Sequence, residues 1–472
     1  MTDTAIRFAN YWLEQALAEE GDSTLPAPPL EGDASCDIAI VGGGYTGLWT
    51  AIELKRRRPG LDVRLIEKHI CGWGASSRNA GYLLNMWAKY PTMRRLFGVE
   101  RALAVGHAAD LALEEVIAFC AENGIDAEIA RRGWLWGATL PQTFDEWRPI
   151  VDALAPYQVS PLREISAEEI ADRWGLTGLH GGAIDEKAGH LQPGKLVRGL
   201  RRVAIERGVT VHENTPMTGL HRGSPPSLST PGGTLRARRV VLGMYAWAAQ
   251  LPELRRSLAV TGYANAVTAP MPERLEKSGF ADGPAFNDTR NMINSLRPTA
   301  GRRVLFGKPG RALAWAGNTG EAFEHDTGWL LDAERRRREL GHIMPDLEAA
   351  YAWSGPIDRT KDGLPFFGRL PGARDILYAT GFSGDGVGPC RMAGKAMAAM
   401  ALDEDGDWAD FGLVRPPMQD LPPEPVRWIG VRMVRSALAR TDAAIHGGRK
   451  PGPVTRGLTG LMSAGIASRG DE

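Results

Sequence analysis

Cysteine is scarce in this chain. Its 472 residues include only Cys36, Cys71, Cys120 and Cys390, with no Cys-x-x-Cys pair. That argues against a disulfide framework or a thiolate metal site, and for free thiols in a reducing cytosol. An excess of charge is lacking too: 56 basic residues balance 56 acidic ones, so no global field draws the chain to nucleic acid or a membrane surface. No apolar run approaches the roughly 18 residues of a transmembrane helix. The first residues, MTDTAIRFANYWLEQALAEEGD, are acidic and interrupted by polar side chains, unlike a signal peptide. No repeat of solenoid period is visible. These absences predict a cytoplasmic protein with no transmembrane segment, no nucleic-acid partner and no bound metal. What remains is ordinary for a globular chain, 43% hydrophobic, and long enough for two or more domains.

Glycine is plentiful, and one cluster of it organises the rest. Cys36–Glu67 reads CDIAIVGGGYTGLWTAIELKRRRPGLDVRLIE. The apolar run Cys36–Val41 predicts a buried parallel strand, and Leu48, Ala51, Ile52 and Leu54 recur at helical spacing until Pro59-Gly60 stops the helix. A second strand, Asp62–Ile66, ends at Glu67. Between strand and helix stands G-x-G-x-x-G. Gly42 permits the tight turn, Gly44 lets a pyrophosphate approach the backbone, and Gly47 lets helix and strand pack closely. The helix N-terminus offers free N–H groups to phosphate. Glu67, 20 residues after Gly47, stands where an acid meets a ribose hydroxyl. The unit predicts a dinucleotide site. There is no second copy, which favours one tightly held cofactor over a shuttling nicotinamide.

Elsewhere the pattern predicts helices over residues 5–20, 99–122 and 145–154, from Pro193-Gly194 through Arg207, over 331–341, and over Arg391–Leu402. Strands are expected at 131–139, Gly208–Glu213, Arg239–Met244 and Ile376–Thr380, with strand-like runs in 258–359. The fold class is α/β, α+β overall: a Rossmann-like nucleotide domain with an inserted antiparallel-sheet domain. The nucleotide domain is expected from 33–98, 183–255 and 360–402, and the substrate domain from 99–182 and 256–359. An extension over 403–472 carries a basic amphipathic helix. There Trp428, Val431, Val434 and Leu438 fall on one face, with Arg427, Arg432, Arg435 and Arg440 interleaved. It is either a membrane or partner helix or one docked on its own domain. Residues 447–472, rich in Gly, Pro and Ser, are expected to be mobile.

Four stretches carry a family resemblance: VGGGYTGLWTAIEL at 41–54 with Glu67, GWGASSRNAGYL at 72–83, GHLQPGKLVRGL at 189–200, and ATGFSGDGVGP at 379–389. Together they resemble the FAD-dependent oxidoreductases of the D-amino-acid oxidase and sarcosine oxidase superfamily. They are most similar to amine oxidases of the gamma-glutamylputrescine oxidase type, with a further likeness to a subgroup proposed to oxidise aminophosphonates. The resemblance implies that Gly42, Gly44, Tyr45, Thr46 and Gly47 hold the FAD pyrophosphate, and Glu67 and Lys68 the adenosine ribose. Gly74, Ala75, Ser76, Arg78, Asn79, Ala80 and Gly81 would run past the pyrophosphate and the ring, and Met217 would meet the adenine. Gly384, Asp385, Gly386 and Val387 would approach the polar edge of the flavin. Relatives with covalent FAD use a histidine or cysteine where Arg78 and Gly355 stand here, so FAD is expected to be non-covalent.

The resemblance further implies oxidation of a small amine (primary, secondary or N-methyl) by hydride transfer to flavin N5, giving an imine that hydrolyses, with O2 as acceptor. A dehydrogenase passing electrons to a quinone or protein, docked through the basic tail, is an alternative. A non-catalytic FAD-binding assembly protein is another. Candidate catalytic residues are Tyr263, over the flavin face or in the core; Lys308, beside the flavin or in a solvated loop; Trp353, against the amine or in the core; and His190, in the pocket or satisfying a turn. Arg78 would clamp an anion or pair with a local carboxylate. The oligomeric state is left open.

Overall fold

In the computed structural model, which describes residues 6–21, 25–408 and 411–461, the glycine turn follows the central strand of a parallel sheet. That strand, Ala34–Val41, lies between Gly233–Leu242 and Val63–Ile66. Ala373–Thr380 and Thr210–His212 extend the parallel core on the two sides. Antiparallel strands complete the sheet, Phe366–Leu370 at one edge and the hairpin Gly219–His221 with Ser227–Thr230 beside the start of Gly233–Leu242. Both faces are buried, as a parallel sheet requires. Ile38 and Ile40 join a core with the helices Tyr45–Arg57, Pro193–Glu206 and Pro389–Ala401, while Ala39 and Val41 join a second core on the other face.

The second sheet runs in the order Arg7–Phe8, Tyr351–Arg359, Ala259–Val267, Val304–Leu313, Ser295–Pro298, Ala285–Asp288, Trp134–Gly137, Gly182–Asp185, Arg163–Ile165. It is antiparallel apart from two parallel pairs, Arg7–Phe8 with Tyr351–Arg359 and Ala285–Asp288 with Trp134–Gly137. Side chains alternate between its two faces, with one break in register between Thr261 and Tyr263. Leu135, Ala264, Phe286 and Leu296 enter a core beneath the sheet, while their neighbours Trp134, Tyr263, Asn287 and Ser295 face a cavity above it.

Several segments fall elsewhere than expected. Gly182–Asp185 belongs to this second sheet, although 183–255 was assigned to the nucleotide side. The helix Val99–Glu122, assigned to the substrate side, buries Ala102, Val105, Ala109, Leu113 and Val116 in the same core as Pro389–Ala401. The N-terminal helix is Tyr11–Glu20, shorter than expected and starting well after Ala5, which lies outside the described residues. The tail helix spans Val426–His446 and is docked: Val431, Val434 and Leu438 are buried, and the buried Arg427 donates to the carbonyls of Arg255 and Leu258. Part of the tail expected to lack structure is a short helix, Pro453–Thr459; residues 462–472 lie outside the described residues. No described helix is long and apolar enough to cross a membrane.

Candidate functional site

One cavity of about 550 Å³ runs from the glycine turn to the open face of the second sheet. At its first end the turn is built on close backbone approach. Gly42 has φ +107°, and a Cβ at Gly47 would lie 2.0 Å from the Gly42 carbonyl oxygen. Gly47 therefore sits behind the cavity rather than on its wall, sealing helix against strand. The Tyr45 N–H donates to Ser76 Oγ at 2.9 Å, and the Tyr45 hydroxyl donates to the Pro193 carbonyl, so this residue faces the cavity with its backbone. The Thr46 hydroxyl is turned to Cys390 Sγ at 3.2 Å.

Glu67 accepts from the Gly43 N–H at 2.7 Å on one oxygen and from the His69 N–H at 3.0 Å on the other. Burial raises its pKa. Each carboxylate oxygen can accept two hydrogen bonds, so Glu67 keeps acceptor capacity for a ligand hydroxyl. Lys68 and Met217 line this end, beside Thr215 and Pro216.

The stretch 74–81 forms the next wall. Gly74, Ala75, Ser76, Arg78, Asn79 and Ala80 line the cavity. Gly81 does not: at φ +74° it packs on the Leu191 carbonyl, 2.1 Å from where a Cβ would stand. Asn79 closes the turn, its Oδ1 accepting from the Gly81 N–H at 2.7 Å. Arg78 clamps the segment to the second sheet, with Nε donating to the Trp73 carbonyl and Nη1 to the Ser354 carbonyl, both at 3.0 Å. An ion pair with Glu324 at 3.6 Å completes its surroundings. The Arg78 carbonyl accepts from Asn265 Nδ2 at 2.9 Å and Trp353 Nε1 at 3.0 Å.

Gly384, Asp385, Gly386 and Val387 face this segment across the cavity. Their loop is held by Asp358, which is fully buried and accepts from the Gly381 N–H at 2.5 Å, the Thr380 hydroxyl at 3.0 Å and the Ser383 N–H at 3.1 Å. Burial raises its pKa to about 7.

Of the four candidate catalytic side chains, only Tyr263 lines the cavity. Its hydroxyl meets Ser295 Oγ at 2.5 Å, and burial raises its pKa, so it stays neutral. Trp353 lies behind the Arg78 carbonyl, edge-on to Trp12. Lys308 is buried away from the cavity against Glu339 and Asn294. His190 is buried between Arg297 Nη1 and the Gly283 carbonyl, each at 3.3 Å, and burial with the neighbouring guanidinium lowers its pKa to about 3. None of these three stands on the cavity wall.

The sequence reading missed two cations that line the same cavity, Lys89 and Arg359. Arg359 ends the strand Tyr351–Arg359, and its Nε donates to Thr261 Oγ1 at 3.2 Å. Lys89 closes a single helical turn, Trp87–Lys89, near Asp385. Burial lowers the pKa of Lys89 and of Arg359 and raises that of Asp385. Only the parity of Arg359 with Gly355 and Ile357, which also line the cavity, could have revealed it in the sequence.

The donor set fits FAD: the Glu67 carboxylate, a helix N-terminus behind Gly44, and backbone-rich walls from Gly74–Ala80 and Gly384–Val387. Comparison with known proteins points the same way. Residues 37–400 match the family described as FAD dependent oxidoreductase, DAO. The chain is 30% identical to the probable oxidoreductase OrdL of Rhizobium meliloti over 398 residues, covering 81% of this chain and 87% of the relative. It is 26% identical to gamma-glutamylputrescine oxidoreductase of Escherichia coli over 397 residues, with the same coverage of 81% and 87%. The crystal structure of glycine oxidase from Geobacillus kaustophilus superposes with a TM-score of 0.63 at 25% identity, covering 81% of this chain and 99% of that one.

Proposed function

Because the chain belongs to the DAO family of FAD-dependent oxidoreductases, we propose that it oxidises a small amine or amino acid at the carbon next to nitrogen. The relatives named for gamma-glutamylputrescine and glycine support this substrate class. The observation that carries it is the composition of the cavity lining contributed by the second sheet and by Lys89. Tyr263 and Ser295 form one neutral polar wall, and Arg359 and Lys89 bring positive charge to the same space.

FAD, held by the residues of the glycine turn, Glu67 and the 74–80 wall, would supply the two-electron acceptor chemistry, with O2 as the proposed final acceptor. The residues of the chain do the rest. An ammonium has no lone pair to support the developing iminium, so the amine must react in its neutral form. Two cations in a partly desolvated cavity disfavour the ammonium and lower the bound amine's pKa. The same cations attract an acid group elsewhere on the substrate, and the Arg359 Nε bond to Thr261 fixes its fork for that contact. Tyr263 and Trp134 keep water from the reacting carbon, and Tyr263 orients the nitrogen through its hydroxyl. The imine is released and hydrolyses in water.

The test is stopped-flow bleaching of the flavin without oxygen, using primary, secondary and N-methyl amines and amino acids from pH 6 to 10. The rate should rise with pH and level off below the free alkylamine pKa of about 10. Bleaching only by alcohols or hydroxy acids overturns the reading, and a rate that falls with pH overturns the neutral-amine step. Slow recovery of colour in air would replace O2 with another acceptor.

A further inference from the structure

The family match ends at Met400, and the tail helix Val426–His446 lies beyond it. Two of its four interleaved arginines are turned inward, while Arg432 and Arg440 are exposed. Arg435 donates to the carbonyls of Gly310, Arg311 and Ala312, and Arg427 to those of Arg255 and Leu258. Arg435 fixes the helix to the second sheet and Arg427 fixes it to the segment just before the strand Ala259–Val267, so these two side chains are not free for a membrane or an acidic partner.

The far end of the helix reaches the substrate wall. Residues 289–294 join the strands Ala285–Asp288 and Ser295–Pro298, and Ile293 in this loop lines the cavity with its flanking residues Asn287 and Ser295. From within, Asp288 accepts from the Asn294 N–H at 2.9 Å and from Asn294 Nδ2 at 2.7 Å. The middle of the loop is held from outside. Asp442 Oδ1 accepts from the Asn291 N–H at 3.0 Å and from Asn291 Nδ2 at 2.7 Å, and Oδ2 accepts from the Met292 N–H at 2.8 Å. Met292 packs on Val434 and Leu438 of the same helix. Asp442 is 8% exposed, so these bonds have little competition from water.

We propose that Asp442 is a positioning residue of the substrate site: the tail helix holds loop 289–294 so that Ile293 and Ser295 stand at the cavity wall, and it thereby sets substrate affinity. The idea rests on the amine reading only in its kinetic arm. Backbone N–H bonds to a buried carboxylate are the strong kind, and the residue after the anchored Met292 is the one that meets the cavity. A loop released at Met292 therefore loses its wall position without disturbing the nucleotide sheet.

The test uses the full-length holoenzyme as wild type, Asp442→Ala, Asp442→Asn and Arg440→Ala; Arg440 is exposed and bonds only Ser436. FAD content should be equal in all four. Amide hydrogen exchange at Asn291, Met292 and Ile293 should rise about tenfold in Asp442→Ala, with no change at residues 34–41. With the best amine of the bleaching panel, the half-saturating concentration should rise about tenfold while the limiting rate of bleaching falls by less. Asp442→Asn should recover part of both effects, and Arg440→Ala should match wild type. Unchanged exchange in the loop overturns the proposal. So does faster exchange with unchanged half-saturation, since the wall would then not depend on the tail. If no amine bleaches the wild-type flavin, the amine reading falls, and the exchange arm alone decides the role of Asp442.

Discussion

Replacing Glu67 with glutamine isolates what its second oxygen does. The carboxylate accepts from Gly43 on one oxygen and from His69 on the other. Glutamine has one accepting oxygen, and its NH2 only donates. Whichever way the amide is turned, the NH2 confronts a backbone N–H, either of Gly43 in the phosphate turn or of His69. The loss is one hydrogen bond to a charged acceptor, about 1.5–3 kcal/mol. At about 1.4 kcal/mol per factor of ten, FAD affinity should fall by at most roughly 100-fold, less whatever part of the loss the stripped protein already carries. Part of the loss should appear without FAD, as a lower Tm of the stripped protein, because both bonds lie within the chain. The assay is titration of stripped protein with FAD, followed by flavin fluorescence, with thermal unfolding of both forms. An unchanged dissociation constant would refute the reasoning, and a drop in affinity with no change in the stripped protein's Tm would assign the carboxylate to ribose alone.

Acid precipitation should leave the flavin in the supernatant as free FAD, because the family resemblance puts Arg78 and Gly355 at the attachment positions and neither is a nucleophile; colour in the pellet would refute this and turn attention to Cys390, which also lines the cavity. Asp358 makes a pH prediction. Burial lifts it to about 7, above its unfolded value of about 3.9, so its contribution to stability is full below pH 4 and is lost as pH rises through 7. The Tm of wild type minus that of Asp358→Asn, measured from pH 5 to 8, should therefore fall with rising pH; a difference that grows would reverse the assignment.

The nucleotide half was legible because its chemistry is local. Strand, turn, helix and terminal acid lie within Cys36–Glu67, and each residue type answers a need of its immediate neighbours. The substrate wall is assembled across a sheet whose strands come from distant parts of the chain, and there parity decides. Lys308 shares the parity of Val304 and Phe306, and its partner in register is Ala264, so it points into the core beneath the sheet. Trp353 has the parity of Gly355 and Arg359 and would face the cavity but for the Arg78 loop, which crosses over it. That crossing joins residues far apart in sequence, and no local pattern announces it. Arg359 escaped notice because it stands in a polar run, where a cation reads as a solvated side chain; Lys89 stands between Trp87-Ala88 and Tyr90-Pro91, and nothing in that local pattern announces the cavity it lines. The tail showed its amphipathic spacing but not its destination. The bonds from Asp442 to Asn291 and Met292 join it to the substrate wall, so truncation after Leu421 should loosen that wall.

The segment 74–81 is gripped by parts that do not share a sheet with the glycine turn. Trp353 and Asn265 hold its Arg78 carbonyl, Arg297 holds that of Ala80, and Trp12 of the N-terminal helix holds that of Asn79 at 3.1 Å. The wall against the cofactor is thus clasped by the substrate sheet and by the start of the chain. This limits modular exchange. A chimera that takes its substrate sheet from a relative inherits that relative's clasp, and must bring Trp12, Asn265, Arg297 and Trp353, or their equivalents, as a set. Partners for enzyme engineering should be chosen by whether these four positions agree, before any comparison of the pocket itself.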